Sequence, residues 1–157
     1  MTSWTRTLAT SMSNYLYEGI RWGAILHCIL EYGAEIAICT GPSMEPTIQS
    51  NDRILMERIS SHYGRIPRNS IVVSKSPSNP KNSVCKRVIA IAGDQVLIPD
   101  GTTTMVPKGH VWLEGDNFQN SLDSRSYGPI PIGLIQGRAI FRVWPPSAIG
   151  TLPIPTN

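Results

Sequence analysis

The spacing of apolar positions changes near residue 41. From Ile20 to Cys39, IRWGAILHCILEYGAEIAIC, most residues are apolar, over about the ~20 positions a membrane-crossing helix requires. His27, Glu31 and Glu35 interrupt this run at intervals of four, so a helix through 20–39 gathers them into one polar stripe and turns Ile25, Ile29 and Ile36 elsewhere. Such a stripe faces a partner helix in a membrane, lies at a membrane surface, or meets water on a packed soluble helix; the two membrane readings are preferred, because ionisable groups in apolar helices mark contacts. His27 and Glu31 have ligand spacing, but two ligands make no metal site. Beyond Gly41 the runs DRILMERI, SIVVSK, VCKRVIAIAGDQVLI and HVWLEGD are short, β-branched or aliphatic, and separated by Gly, Pro, Asn and Ser, which predicts strands. The end, VWPPSAIGTLPIPTN, holds too much proline for a helix or a central strand and predicts an extended tail.

The pattern divides the chain into residues 1–40, a targeting and membrane-anchor helix; residues 41–145, a mainly β body; and residues 146–157, a Pro-rich tail. Composition agrees. Gly 13 and Pro 13, with only 16% charged residues, favour many turns over a helical bundle. The net charge of +3 is small and dispersed, so no nucleic-acid partner is expected.

Cys28, Cys39 and Cys85 form no CxxC pair and have no His at ligand spacing; they signal neither a disulfide framework nor zinc and read as buried or idle thiols. On one helix Cys28 and Cys39 would stand ~16 Å apart, too far for a bridge. The leading segment MTSWTRTLATSMSNYLYEG is rich in Ser and Thr, with Arg6 and a single acid, Glu18, a composition that leans to mitochondrial targeting. Arg6 and Arg21 precede the apolar run while Glu45 and Asp52 follow it, which keeps the N-terminus on the matrix or cytosolic side and the body across the membrane.

Within GPSMEPT, Pro42 and Pro46 fix the backbone around Ser43. A serine between prolines is ordinarily a turn residue, and it gains chemical meaning only if a base is available. His110, with Asp116 or Asp123 as orienter, would complete a triad; Lys86 would complete a Ser-Lys dyad. Alternation in VCKRVIAIAG puts Lys86 on a face with Val84 and Val88, and an apolar setting disfavours its cation and brings a lysine toward the range of a general base. His110 has no such context and reads as a structural or surface residue. In GDNFQNSLDSR, residues 115–125, an Asx-turn loop is the plain reading, and the calcium-loop spacing fails. Ser121 could orient the lysine amine, with Asp123 and Arg125 bracing the loop that presents it.

GPSMEPT, CKRVIAIAGD and GDNFQNSLDSRSYGPI, in this order, resemble the three conserved boxes of the type I signal peptidase family. Together with HCILEY, KSPSNPKNSVCKRV and GHVWLEGD they are most similar to its eukaryotic mitochondrial inner-membrane branch, over most of residues 25–145. The resemblance implies a signal-peptidase-like antiparallel β body and a serine endopeptidase without metal or cofactor. Ser43 would be the nucleophile and Lys86 the base, with Ser121, Asp123 and Arg125 supporting them. Gly115, Asp116 and Asn117 begin the last box, and Arg87 follows the base as the family pattern expects. The Ser43 N–H would serve the oxyanion. Many bacterial members carry a second oxyanion donor, a serine, where this chain has Gly41, so that Thr40, a backbone N–H or water takes its place or the oxyanion hole is weaker. Between Asp94 and Val111 only a short linker is expected, where bacterial members can carry an extra β domain.

The resemblance also implies precursors with sorting peptides as substrates, a paralogous second subunit as partner, and a body facing the intermembrane space from the inner membrane. The stripe of His27, Glu31 and Glu35 is the expected meeting place of the subunits. Three rivals stand beside this. A self-cleaving repressor shares the dyad but would need a DNA-binding helix-turn-helix where the apolar run lies. A non-catalytic assembly subunit keeps the fold without the reaction, against the complete set of Ser43, Lys86 and Ser121. The same chemistry in a bacterial or plastid membrane fits the N-terminal composition less well.

Overall fold

In the computed structural model, residues 3–28 and 33–153 are described. They divide between Ala34 and Glu35 into two compact units. The first holds helix α1 (Ser3–Cys28), which exposes Leu16, Ile20 and Trp22 beside an Arg21–Glu18 ion pair of 3.0 Å.

The expected single helix over 20–39 is corrected: Ala34–Ile38 forms strand β1. The run AEIAI carries β-branched side chains at Ile36 and Ile38, which favour a strand. The stripe therefore does not lie on one helix. His27 is on α1, Glu35 is on β1 and paired with Arg58, and Glu31 lies outside the described residues. No helix among the described residues is long and apolar enough to cross a membrane.

The second unit is built from β2 (Arg53–Glu57), the short helix α2 (Ile59–His62), β3 (Ile71–Lys75), β4 (Ser83–Ile91), β5 (Gln95–Leu97), β6 (Thr103–Met105), β7 (His110–Glu114), helix α3 (Ser124–Tyr127), β8 (Ile130–Pro131), β9 (Ile135–Trp144) and β10 (Gly150–Thr151). The main sheet runs β1-β2-β9-β3-β4-β7-β8, with β10 also on β9. The pairings of β9 with β2, β3 and β10, and those of β4 with β3 and β7, are all antiparallel. Register shifts at Leu55/Met56 and Val73/Ser74 interrupt the pairings of β2 and β3 with β9, the kind of irregularity that bends a sheet.

Strand β3 lies between two of the body's cores. Ile71 and Val73 join Cys39, Met44, Ile48, Ile54, Met56 and Ala139 on one face, while Val72 joins Ile66, Val88, Val111, Leu113, Ile130 and Ile135 on the other. A strand covered on both sides carries an unbroken apolar run, as IVV does. Each such Val or Ile contributes about 1.5–3 kcal/mol by leaving water.

The expected linker between Asp94 and Val111 is instead a hairpin, β5–β6, in a two-stranded sheet of its own. Val96 and Ile98 pack on Ala90, Val106 and Trp112 beneath it. In the Pro-rich end, β10 pairs antiparallel with β9 at Phe141 and Arg142, and Leu152 reaches the first core.

Candidate active site

The segment carrying Ser43 is a turn held at both ends. Gly41 has φ +92, a conformation that side-chain-bearing residues rarely adopt, and its N–H donates to Ser50 Oγ at 3.3 Å. Met44 and Ile48, 3% and 1% exposed, pin the turn into the core, and the Ile48 N–H closes onto the Met44 carbonyl at 2.9 Å. From the sheet, Arg142 on β9 donates to the Thr47 carbonyl at 2.6 Å and pairs with Asp52 at 3.2 Å, and Asp52 accepts from the Gln49 N–H at 3.0 Å. Ser43 is left half-buried on this fixed turn.

Lys86 stands in the middle of β4, opposite Val72, and is 3% exposed. Its Nζ donates to Ser121 Oγ at 2.8 Å. Burial holds its pKa below the ordinary lysine value; the nearby Asp123 carboxylate pulls the other way, and Arg125 adds to the lowering. Ser121 donates to Asp123 Oδ2 at 2.5 Å, and Asp123, fully buried, also accepts from the Gly115 N–H at 2.9 Å and from Arg125 Nε at 2.8 Å. Burial alone would raise that carboxyl, but the hydrogen bonds from Arg125, Gly115 and Ser121 bring it down to about 2. Asp123 also caps α3, accepting from the Arg125 N–H.

Gly115 joins the serine turn to this network. A methyl group there would meet Ser121 Oγ at 2.2 Å and the Ser43 carbonyl oxygen at 2.4 Å, so the two serines flank one small space that only glycine leaves open. The Ser43 carbonyl also accepts from the Asn117 N–H at 3.0 Å. A cavity of about 140 Å³ opens beside Ser43, lined by Thr40, Gly41, Val84 and Cys85 among others.

The structure thus gathers Gly41, Ser43, Lys86, Ser121, Asp123 and Arg125 around one site. It does not bring His110 into it. His110 starts β7 opposite Pro131, with Nδ1 3.0 Å from the Lys108 carbonyl, and both carboxylates considered as its orienter are committed elsewhere, Asp123 to Ser121 and Asp116 to Arg87.

That second pairing was not read from the sequence. Arg87, 3% exposed, grips Asp116 with two hydrogen bonds of 2.8 and 2.7 Å and donates to the Asn69 carbonyl at 2.8 Å. It ties β4 to the start of the 115–125 loop one residue from Lys86. The Arg142–Asp52 brace was missed as well, since no local spacing connects β9 to the serine turn. Chemically, a lysine whose charged form is disfavoured, oriented by a hydroxyl whose own proton is committed, is suited to accept a proton.

The family model described as signal peptidase, peptidase S26, matches residues 19–105 and 99–144. Mitochondrial inner membrane protease subunit 1 of Homo sapiens is 52% identical over 138 residues, covering 85% of this chain and 83% of its own length. Subunit 2 of the protease of that name from Saccharomyces cerevisiae is 36% identical over 143 residues, 84% of this chain and 80% of its own. A crystal structure of a signal peptidase I from Enterococcus faecalis aligns with 46% of this chain and 95% of that one, at 22% identity and a TM-score of 0.41. With a family model across most of its length and relatives this similar over four-fifths of it, the chain belongs to the signal peptidase family, peptidase S26.

Proposed function

We propose that the chain is a membrane-bound serine endopeptidase of the mitochondrial inner membrane, with its β body on the intermembrane-space side. It removes sorting peptides from precursor proteins delivered there, using Ser43 as nucleophile and Lys86 as general base. The names of its relatives support the location, and the existence of subunits 1 and 2 among them supports a paralogous partner. Membrane attachment is assigned to helix α1, where exposed Leu16, Ile20 and Trp22 offer apolar surface. The observation that carries the reading is the buried Lys86 Nζ held at 2.8 Å by Ser121 Oγ, while Ser121 and the Ser43 carbonyl share the space above Gly115.

The reaction is acyl transfer. Ser43 Oγ adds to the scissile carbonyl as Lys86 takes its proton, and the Ser43 N–H stabilises the oxyanion. Lys86 passes the proton to the departing amine, leaving an acyl-enzyme ester. Again neutral, it draws a proton from water, which adds to the ester, and Ser43 departs carrying the proton back. Strand β1 ends the sheet order and exposes Ile36 and Ile38, so an extended peptide can pair along it.

The test is cleavage of an intermembrane-space precursor by detergent-solubilised protein, alone and with its second subunit, comparing wild type with Ser43→Ala and Lys86→Met. Cleavage by wild type only supports the reading. Cleavage by Lys86→Met at the wild-type rate removes the dyad, and a wild type inert with its partner on every precursor tried makes the chain an assembly subunit.

A further inference from the structure

The proposed reaction uses no sulfur, yet two thiols meet beside it. Cys39 ends the segment leading into the Ser43 turn, and Cys85 immediately precedes Lys86. Both line the cavity of about 140 Å³ that holds Ser43, and Cys85 packs on the core cluster that contains Cys39. Within that cavity wall the two thiols are neighbours that influence one another's ionisation. That proximity lowers the Cys39 thiol and, with burial, pushes Cys85 well up. Both are free, and Cys85 is half-buried rather than sealed. Two neighbouring thiols from separate elements that open on one cavity are placed for disulfide chemistry in a way that a lone core cysteine is not.

We infer that Cys39 and Cys85 are a redox modification site: a small-molecule disulfide such as oxidised glutathione converts them to a reversible bridge across the cavity beside Ser43, and the bridged form no longer admits peptide. Cys39 thiolate attacks the reagent, forming a mixed disulfide and releasing one thiolate. Cys85 gives up its proton and attacks Cys39 sulfur, forming the bridge and releasing the second thiolate. The two protein thiols are oxidised, the reagent is reduced to two thiols, and the two protons pass to them. Closing the pair to a bond of about 2.05 Å draws the Ser43 turn towards β4 and narrows the cavity between them.

The loss of cleavage rests on the proposed peptidase reading; the bridge does not, so the two are measured separately. The full chain with its second subunit is equilibrated in detergent with oxidised or reduced glutathione, alkylated, and mapped by mass spectrometry while precursor cleavage is followed. Expected is a Cys39–Cys85 peptide in oxidant, cleavage lower by about tenfold or more, and recovery of both on reduction. Cys39→Ser and Cys85→Ser, each compared with its own reduced activity, do not respond to oxidant. Cys39 and Cys85 both alkylated in oxidant, or each capped singly by glutathione, overturns the bridge. A bridge with undiminished cleavage overturns the closure. A wild type that cleaves nothing when reduced counts against the peptidase reading, and the thiol map still decides the pair.

Discussion

Lys86 Nζ donates to Ser121 Oγ at 2.8 Å, and because that hydroxyl donates its own proton to Asp123 at 2.5 Å, Ser121 can only receive from the lysine. When Lys86 is neutral, its lone pair is therefore left for another donor. Ser121→Ala removes the orientation and keeps the buried amine. The expected outcome is a fall in kcat of about 10²-fold, in the range of a positioned acid–base contact, with KM much less changed, measured by steady-state cleavage of a precursor peptide.

The charges around Lys86 set the pH at which it works. Burial holds its pKa below the ordinary value, Asp123 raises it and Arg125 lowers it. A base must be neutral, so cleavage rises with pH through the lysine's pKa. Arg125→Gln removes a lowering charge and leaves Asp123 less neutralised, so the acid limb of kcat/KM moves to higher pH; Asp123→Asn moves it to lower pH. Limbs that shift in the same direction, or not at all, in the two variants exclude Lys86 as the titrating base.

Stability and activity should separate at Lys86. An ammonium 3% exposed is costly to bury, and methionine has similar length without the charge. Lys86→Met is expected to abolish cleavage while its melting temperature stays level with wild type or rises. A melting temperature lowered by more than a few degrees assigns the lysine a structural role instead.

Much of the β body was legible because its strands announce themselves by residue type: IVVSK, buried on both faces, and VCKRVIAIAG between turn residues are β3 and β4. The strand that organises the sheet, β9, was not. Its inward positions are Ile135, Gly137 and Ala139, and Gly137 dilutes the apolar signal because a side chain there would meet the Glu57 carbonyl at 2.8 Å. Strand β1 is hidden in the sequence because AEIAI closes an apolar run, Ile20 to Cys39, whose length matches a membrane-spanning helix. In the site, Ser43 is marked in the sequence by the prolines around it, Lys86 by the apolar flank of its strand, and Ser121 and Asp123 by their place in an Asx-rich loop. The Arg87–Asp116 clamp and the Cys39–Cys85 pair join positions remote in sequence, and only the fold brings them together.

That clamp supports a further expectation. Arg87 and Asp116 are 3% and 16% exposed in their side chains and joined at 2.7 Å. Removing one partner of a buried pair strands the other, at about 3–5 kcal/mol. Arg87→Met should lower unfolding free energy by roughly that amount in denaturant titration, and Arg87→Lys, which keeps the charge but loses the two-point grip, should recover only part.

The acid side of the stability profile should carry the signature of Asp123. Its carboxyl sits at about 2 against an ordinary 3.8, held by Arg125, Gly115 and Ser121. A depressed carboxyl contributes stability that is complete above its unfolded value and is lost as pH falls through its folded value, so the window runs from about pH 4 down to about 2. The difference corresponds to about 2 kcal/mol at neutral pH. Wild type should lose that increment across the window, whereas Asp123→Asn should begin lower by about 2 kcal/mol at pH 7 and show a flatter profile there. Thermal unfolding of both proteins at pH 7, 4 and 2.5 measures it. Parallel profiles would mean that Asp123 braces the loop by shape alone, and its charge would then matter only to Lys86.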